Sequence, residues 1–171
     1  MKRSFSSYSR VSSLVLIACL LSACSGEDRL IRQCLKDDAQ ACIQACDQNK
    51  GQACNQLGEY YRMGKGVEQD PDKSKAMVEK ACQLKDGDGC NNLGFLYANG
   101  IGVTQDTRKA VQLYTQSCEL GSGWGCNNLG VVYVNGKGVP KDEKKARDSF
   151  AKSCELKNSG GCENLRKLDT K

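Results

Sequence analysis

Beyond residue 45, apolar and small residues fall in two alternating helical registers. In the first, Cys54, Leu57, Gly58 and Tyr61 stand at i, i+3, i+4 and i+7, and the same column recurs as Cys90, Leu93, Gly94, Tyr97 and as Cys126, Leu129, Gly130, Tyr133. That spacing is one face of an amphipathic helix. In the second register, Ala110, Leu113, Tyr114, Ser117 and Cys118 are matched by Ala146, Ser149, Phe150, Ser153, Cys154 and by Ser74, Met77, Val78, Ala81, Cys82. The chain therefore predicts pairs of helices, each with one buried stripe. Cysteines 46, 82, 118 and 154 stand 36 residues apart, as do 54, 90, 126 and 162. A fixed period of this size marks a stacked array in which no unit buries its apolar face alone.

The punctuation agrees with the stripes. Paired glycines, Gly64 and Gly66, Gly100 and Gly102, Gly136 and Gly138, end the first helices, where left-handed backbone is needed. Asp70, Asp106 and Asp142 are suited to N-capping the second helices, with Pro71 fitting a first helical position. Glycine on the face of the first helix is poor for helix propensity, and its recurrence predicts a place where another helix backbone comes close. Residues 51–86, 87–122 and 123–158 form three units, and residues 159–171 form a terminal capping helix in which Arg166 replaces the packing glycine.

The first 23 residues stand apart. Lys2, Arg3 and Arg10 precede a short apolar run, Leu14 to Leu21, which reads as a secretory signal. Leu21-Ser22-Ala23-Cys24 resembles the lipobox of bacterial lipoproteins, and the resemblance implies acylation of Cys24; Ser25 after it implies the outer membrane. Several acyl chains, at about 0.8 kcal/mol per buried methylene, make a lasting anchor. Removing the signal takes the net charge from +5 to +2, so the basicity is largely a targeting feature and nothing points to nucleic acid. Residues 24–50 then supply the anchor, a short tether and N-terminal capping helices.

Of twelve cysteines, ten remain in the folded part: Cys34 and Cys42, Cys46 and Cys54, Cys82 and Cys90, Cys118 and Cys126, Cys154 and Cys162. Every pair has the same spacing, and an even count at one spacing in an exported chain reads as a disulfide framework. The chain has no histidine and no CxxC, so no metal or redox site is expected. The expected fold is all-α, an α-solenoid of antiparallel helix pairs stapled by disulfides.

Leu-Gly, two residues, Tyr, two residues, Gly-x-Gly-Val, then Asp and later Lys-Ala resembles the Sel-1-like repeat, a relative of the tetratricopeptide repeat. Lys109-Ala110 and Lys145-Ala146 fit it, and Lys73-Ser74 departs mildly. The cysteines at both helix ends are similar to the secreted, cysteine-rich Hcp-type subgroup. The resemblance implies a right-handed superhelix used as a binding scaffold. It also implies, as an alternative, penicillin binding or weak β-lactamase activity.

In such arrays the first helices line a concave groove. The positions looking into it are Asn55, Gln56, Asn91, Asn92, Asn127, Asn128 and Asn164, with Phe95, Val131 and Trp124 as apolar neighbours. A ladder of carboxamides can hydrogen-bond an extended peptide at regular steps; alternatively the asparagines fix turns and Trp124 shields a disulfide. The expectation is a scaffold for an extended peptide or another envelope protein, with no cofactor. A structural or chaperone-like periplasmic factor is the third reading. For catalysis, Ser149-Phe150-Ala151-Lys152 has the SxxK form, but Ser149 falls in a core column and the chain has no KTG or SDN partner.

Overall fold

A computed structural model describes residues 29–170. The signal and the lipidation site at Cys24 lie outside the described residues. Helical residues 29–34 lead into α1 (Ala39–Asp47), followed by α2 (Gly51–Met63), α3 (Pro71–Gln83), α4 (Gly87–Asn99), α5 (Thr107–Glu119), α6 (Gly123–Asn135), α7 (Glu143–Glu155) and α8 (Ser159–Asp169). No strand occurs among the described residues. Each helix packs on the next, and α2, α4, α6 and α8 also touch in series. The second helices α3, α5 and α7 do not pack on one another to a comparable extent. The first helices thus form the inner side of the array.

The caps follow the sequence. Asp70, Asp106 and Asp142 each accept, through Oδ1, the backbone N–H three residues on at 2.9 Å. Gly64, Gly100 and Gly136 close the first helices with φ near +70° (70, 68 and 69). The turns that return to the next first helix also hold left-handed residues, and three of these are not glycine: Asn49, Lys85 and Lys157. The cap on Asp86 is half-buried, and burial pushes its carboxyl above the ordinary range despite a 2.7 Å bond from the Gly89 N–H.

All five cysteine pairs lie at bonding distance, with Cα atoms 4.4 to 4.6 Å apart. Each joins the end of one helix to the start of the next. Cys42 and Cys46, one turn apart on α1, bridge in opposite directions, back to Cys34 and forward to Cys54. The N-terminal end is tied down further, since the buried Tyr60 hydroxyl donates to Cys34 O at 3.0 Å and to Asp37 Oδ1 at 3.2 Å. Lys65 pairs with Asp37 at 2.7 Å and holds that carboxyl below its usual range.

The face glycines do a different job from the one their spacing predicts. A Cβ on Gly94 would lie 2.8 Å from the Tyr114 ring, and one on Gly130 would lie 2.5 Å from the Phe150 ring. At Gly58 it would meet Val78 Cγ1 at 2.7 Å. What the glycine admits is chiefly a large side chain of the partner helix. Backbone contact is closest one turn earlier, at Gly89, Gly125 and Gly161, where an added Cβ would come 3.1, 3.0 and 3.1 Å from the backbone nitrogens of Cys82, Cys118 and Cys154. These glycines precede the bridged cysteines and let the helices meet closely enough for the disulfides to form.

Candidate binding face

The inner side of α2, α4, α6 and α8 brings the carboxamides together, and they bond to one another. Asn92 Nδ2 donates to Asn55 Oδ1 at 2.8 Å, Asn128 Nδ2 to Asn91 Oδ1 at 2.8 Å, and Asn164 Nδ2 to Asn127 Oδ1 at 2.9 Å. Within α4, Asn91 Nδ2 also donates to Asn92 Oδ1 at 3.2 Å. The second asparagine of each unit reaches back to the first of the unit before. The asparagines are therefore mid-helix links between repeats, neither turn-fixers nor a row of wholly free donors. Gln56 holds the matching position on α2 and is half-buried. Among the described residues, no buried side-chain nitrogen or oxygen lacks a partner.

Beside this ladder lie apolar side chains that the fold leaves uncovered. Phe95 is 49% exposed and Val131, one repeat later, 38%. Next to Val131 a cavity of about 190 Å³ opens between α6 and α8, floored by Val134, Phe150 and Leu168 and edged by Asn164 and Lys167. Trp124 stands two turns before Val131 on the same face of α6 and is 60% exposed. It borders a separate cleft near the turns.

The remaining sequence candidates fall into structural roles. Ser149 is buried, and its hydroxyl donates to Lys145 O at 2.7 Å, so it is spent within α7. Tyr97 takes a 2.6 Å bond from Lys109 Nζ, which holds the lysine above its usual range. Lys73 and Lys145 stand over Tyr61 and Tyr133, each 5.4 Å from the ring centroid. This cation–π contact accounts for the recurring lysine, which the spacing alone left unexplained. Ser117 and Ser153 were placed in the buried stripe but given no partner from sequence; they donate to Gly87 O at 2.6 Å and Gly123 O at 2.7 Å, at the start of the other helix of the same pair. Their small size and their recurrence in the cysteine-flanking column were the available signal. No group of three or more His, Cys, Asp or Glu that could hold a metal ion occurs among the described residues.

Five disulfides belong to an oxidising compartment, which makes this an extracytoplasmic protein. No curated protein matches the chain. Among solved structures, cysteine rich protein B of Helicobacter pylori is similar at 34% identity and a TM-score of 0.60, over 78% of this chain and 92% of that one. A protective antigen of uropathogenic Escherichia coli with an SLR fold is similar at 28% identity and a TM-score of 0.71, over 83% of this chain and 33% of that one. A Sel1 repeat protein from Oxalobacter formigenes gives 24% identity and a TM-score of 0.70, over 74% and 51%. This chain thus spans about half the Oxalobacter protein and about a third of the antigen. The Sel1 repeat model matches residues 51–86, 87–122 and 125–158, and with most of its length so covered the chain belongs to the Sel1 repeat family, whose repeats generally mediate protein–protein interaction.

Proposed function

We propose that this protein is a lipid-anchored scaffold of the bacterial envelope, held by Cys24, whose inner helical face binds an extended segment of another envelope protein. The observation that carries the reading is the pairing of Phe95 and Val131 one repeat apart, both exposed beside the asparagine ladder. Successive inner helices stand about 8–10 Å apart, and an extended chain rises about 3.3 Å per residue, so a segment crossing them places every third residue over the next helix. The cavity beside Val131 is of a size for one apolar side chain, with Asn164 and Lys167 at its edge for the peptide's polar groups. Because the asparagines already bond one another, they serve as a stiff floor that still offers unused lone pairs and N–H groups.

The anchor rests on Leu21-Ser22-Ala23-Cys24 and on the few residues between Cys24 and the first helical turn. They keep the array near the membrane surface. Two measurements separate the parts of the reading. Cys24→Ser should move the protein from the membrane to the soluble envelope fraction. Phe95→Ser with Val131→Asp should abolish recovery of the partner by cross-linking in living cells while helical content stays unchanged. Undiminished recovery would remove this face from consideration.

A further inference from the structure

Trp124 is poorly accounted for by the fold. The same position in the neighbouring units is Gln52, Asp88 and Gly160, so the array does not require an aromatic ring there. It belongs to none of the apolar clusters of the described residues, and most of its surface is open. A large indole kept in solvent on a rigid helix is the kind of group that binding sites use as a platform.

What lies before the ring is polar. Trp124 borders a cleft of about 350 Å³ between the α5–α6 and α7–α8 turns, lined also by Asp88, Ser122, Leu156, Lys157 and Ser159. That volume falls within the range of small-molecule sites, roughly 300–1,000 Å³. The Ser122 hydroxyl donates to Asp88 Oδ1 at 2.5 Å, which fixes the carboxylate at the mouth of the cleft. A carboxylate bonded in this way keeps further acceptor capacity. At Trp124's position one unit on, Gly160 brings no side chain to fill the space. One carboxylate and one ammonium leave the cleft without net charge, which disfavours a phosphate or a multiply charged ligand.

We propose that this cleft is a saccharide site, taking an uncharged oligosaccharide of pyranose rings with one ring stacked on Trp124. A pyranose has an apolar C–H face, which suits the indole, and a rim of hydroxyls, each both donor and acceptor. Asp88 accepts from that rim, Lys157 donates to it and Ser159 does either. The site stands on observations separate from the peptide-binding face, and either can fail without the other.

Trp124 is the only tryptophan in the chain, so fluorescence excited selectively at the indole, to the exclusion of the tyrosines, reports on this cleft alone. The intact protein would be titrated with chitotriose, cellotriose and maltotriose, and with an oligoproline peptide as the competing kind of ligand that aromatic surfaces accept. At least one sugar should give a saturable blue shift below about 10 mM, the weak end of specific binding. Calorimetry should then show the same sugar bound about tenfold more weakly, about 1.4 kcal/mol, by Trp124→Ala, whose circular dichroism should match the parent because the side chain is exposed. Phe95→Ser should leave sugar binding unchanged. No saturable shift with any of the three sugars, a shift with oligoproline alone, or equal affinity in Trp124→Ala would overturn the proposal.

Discussion

Asn128 reaches back across one whole repeat to donate to Asn91 Oδ1 at 2.8 Å, although 37 residues separate the two in the chain. Asn91 is only 9% exposed, so its carbonyl has little water to fall back on. Asn128→Ala leaves that acceptor stranded, at a cost of about 1–2 kcal/mol. Asn128→Asp should cost more, because a carboxylate has no proton to give and turns its charge toward the same oxygen. Urea denaturation of the two variants checks the order. Equal stability of all three proteins would mean the ladder carries no load.

A second prediction concerns the glycine before each bridged cysteine. A Cβ on Gly125 would collide with the Ser117 side chain and lie 3.0 Å from Cys118 N, and Ser117 is fixed by its bond to Gly87 O. At the equivalent Gly89 the nearest side chain is only the Ala81 methyl, with Cys82 N at 3.1 Å. At the first joint the columns of Ala81 and Gly89 hold Ala45 and Ala53, both buried. That joint therefore holds a methyl where Gly89 and Gly125 have none. Gly125→Ala should cost about 1–3 kcal/mol by overpacking and Gly89→Ala less. Thermal melts of the oxidised proteins would show the difference, and adding Ser117→Ala to Gly125→Ala should recover part of the loss.

The helix caps give a third prediction, with a sign set by pH. Burial raises the Asp86 carboxyl in the folded state above its unfolded value. Protonated in both states, at low pH, the group costs nothing. As pH rises through the unfolded value and past the folded one, ionisation favours the unfolded chain and the penalty reaches its full size. Asp86→Asn keeps a capping oxygen for the Gly89 N–H, as Asn158 does for Gly161 at 3.0 Å, and removes the charge. It should raise the melting temperature at about pH 7, with the gain fading toward about pH 3, below the ordinary aspartate value. A gain that persisted unchanged in acid would point to something other than ionisation.

The helix pairs, their caps and the cysteine partners were legible because each is local: a stripe, an N-cap three residues from its donor, a bridge over one tight turn. What sequence reasoning missed depends on how helices meet, within a unit and between units. The spacing of Gly58, Gly94 and Gly130 was read as the close approach of another helix backbone, whereas the side chains of Val78, Tyr114 and Phe150 fill the space. Nor did it show that the backbones meet at Gly89, Gly125 and Gly161. The asparagines were assigned to a groove lined by the first helices, and their mutual bonds, which span 37 residues, were not foreseen because they follow from the offset between stacked helices, which no single unit encodes. Lys85 and Lys157 sit in left-handed turns where the sequence offers no glycine to mark them.

The disulfides should differ in worth by position, since in a stacked array each unit is stabilised by its own packing and by its interfaces with the units on either side. Each bridge closes a short loop, worth about 2–3 kcal/mol in the chain-entropy model. Cys118 and Cys126 join two complete helix pairs and are buried, whereas Cys154 and Cys162 fasten only the terminal α8 and are half-exposed. Replacing Cys118 and Cys126 together by Ala loosens the joint on which residues 123–170 depend, so urea unfolding should split into two steps. Replacing Cys154 and Cys162 should fray α8 and lower the midpoint with one transition kept. Denaturation followed by circular dichroism distinguishes the two, and a single transition of equal midpoint in both variants would mean that the bridges act on the array as a whole and not joint by joint.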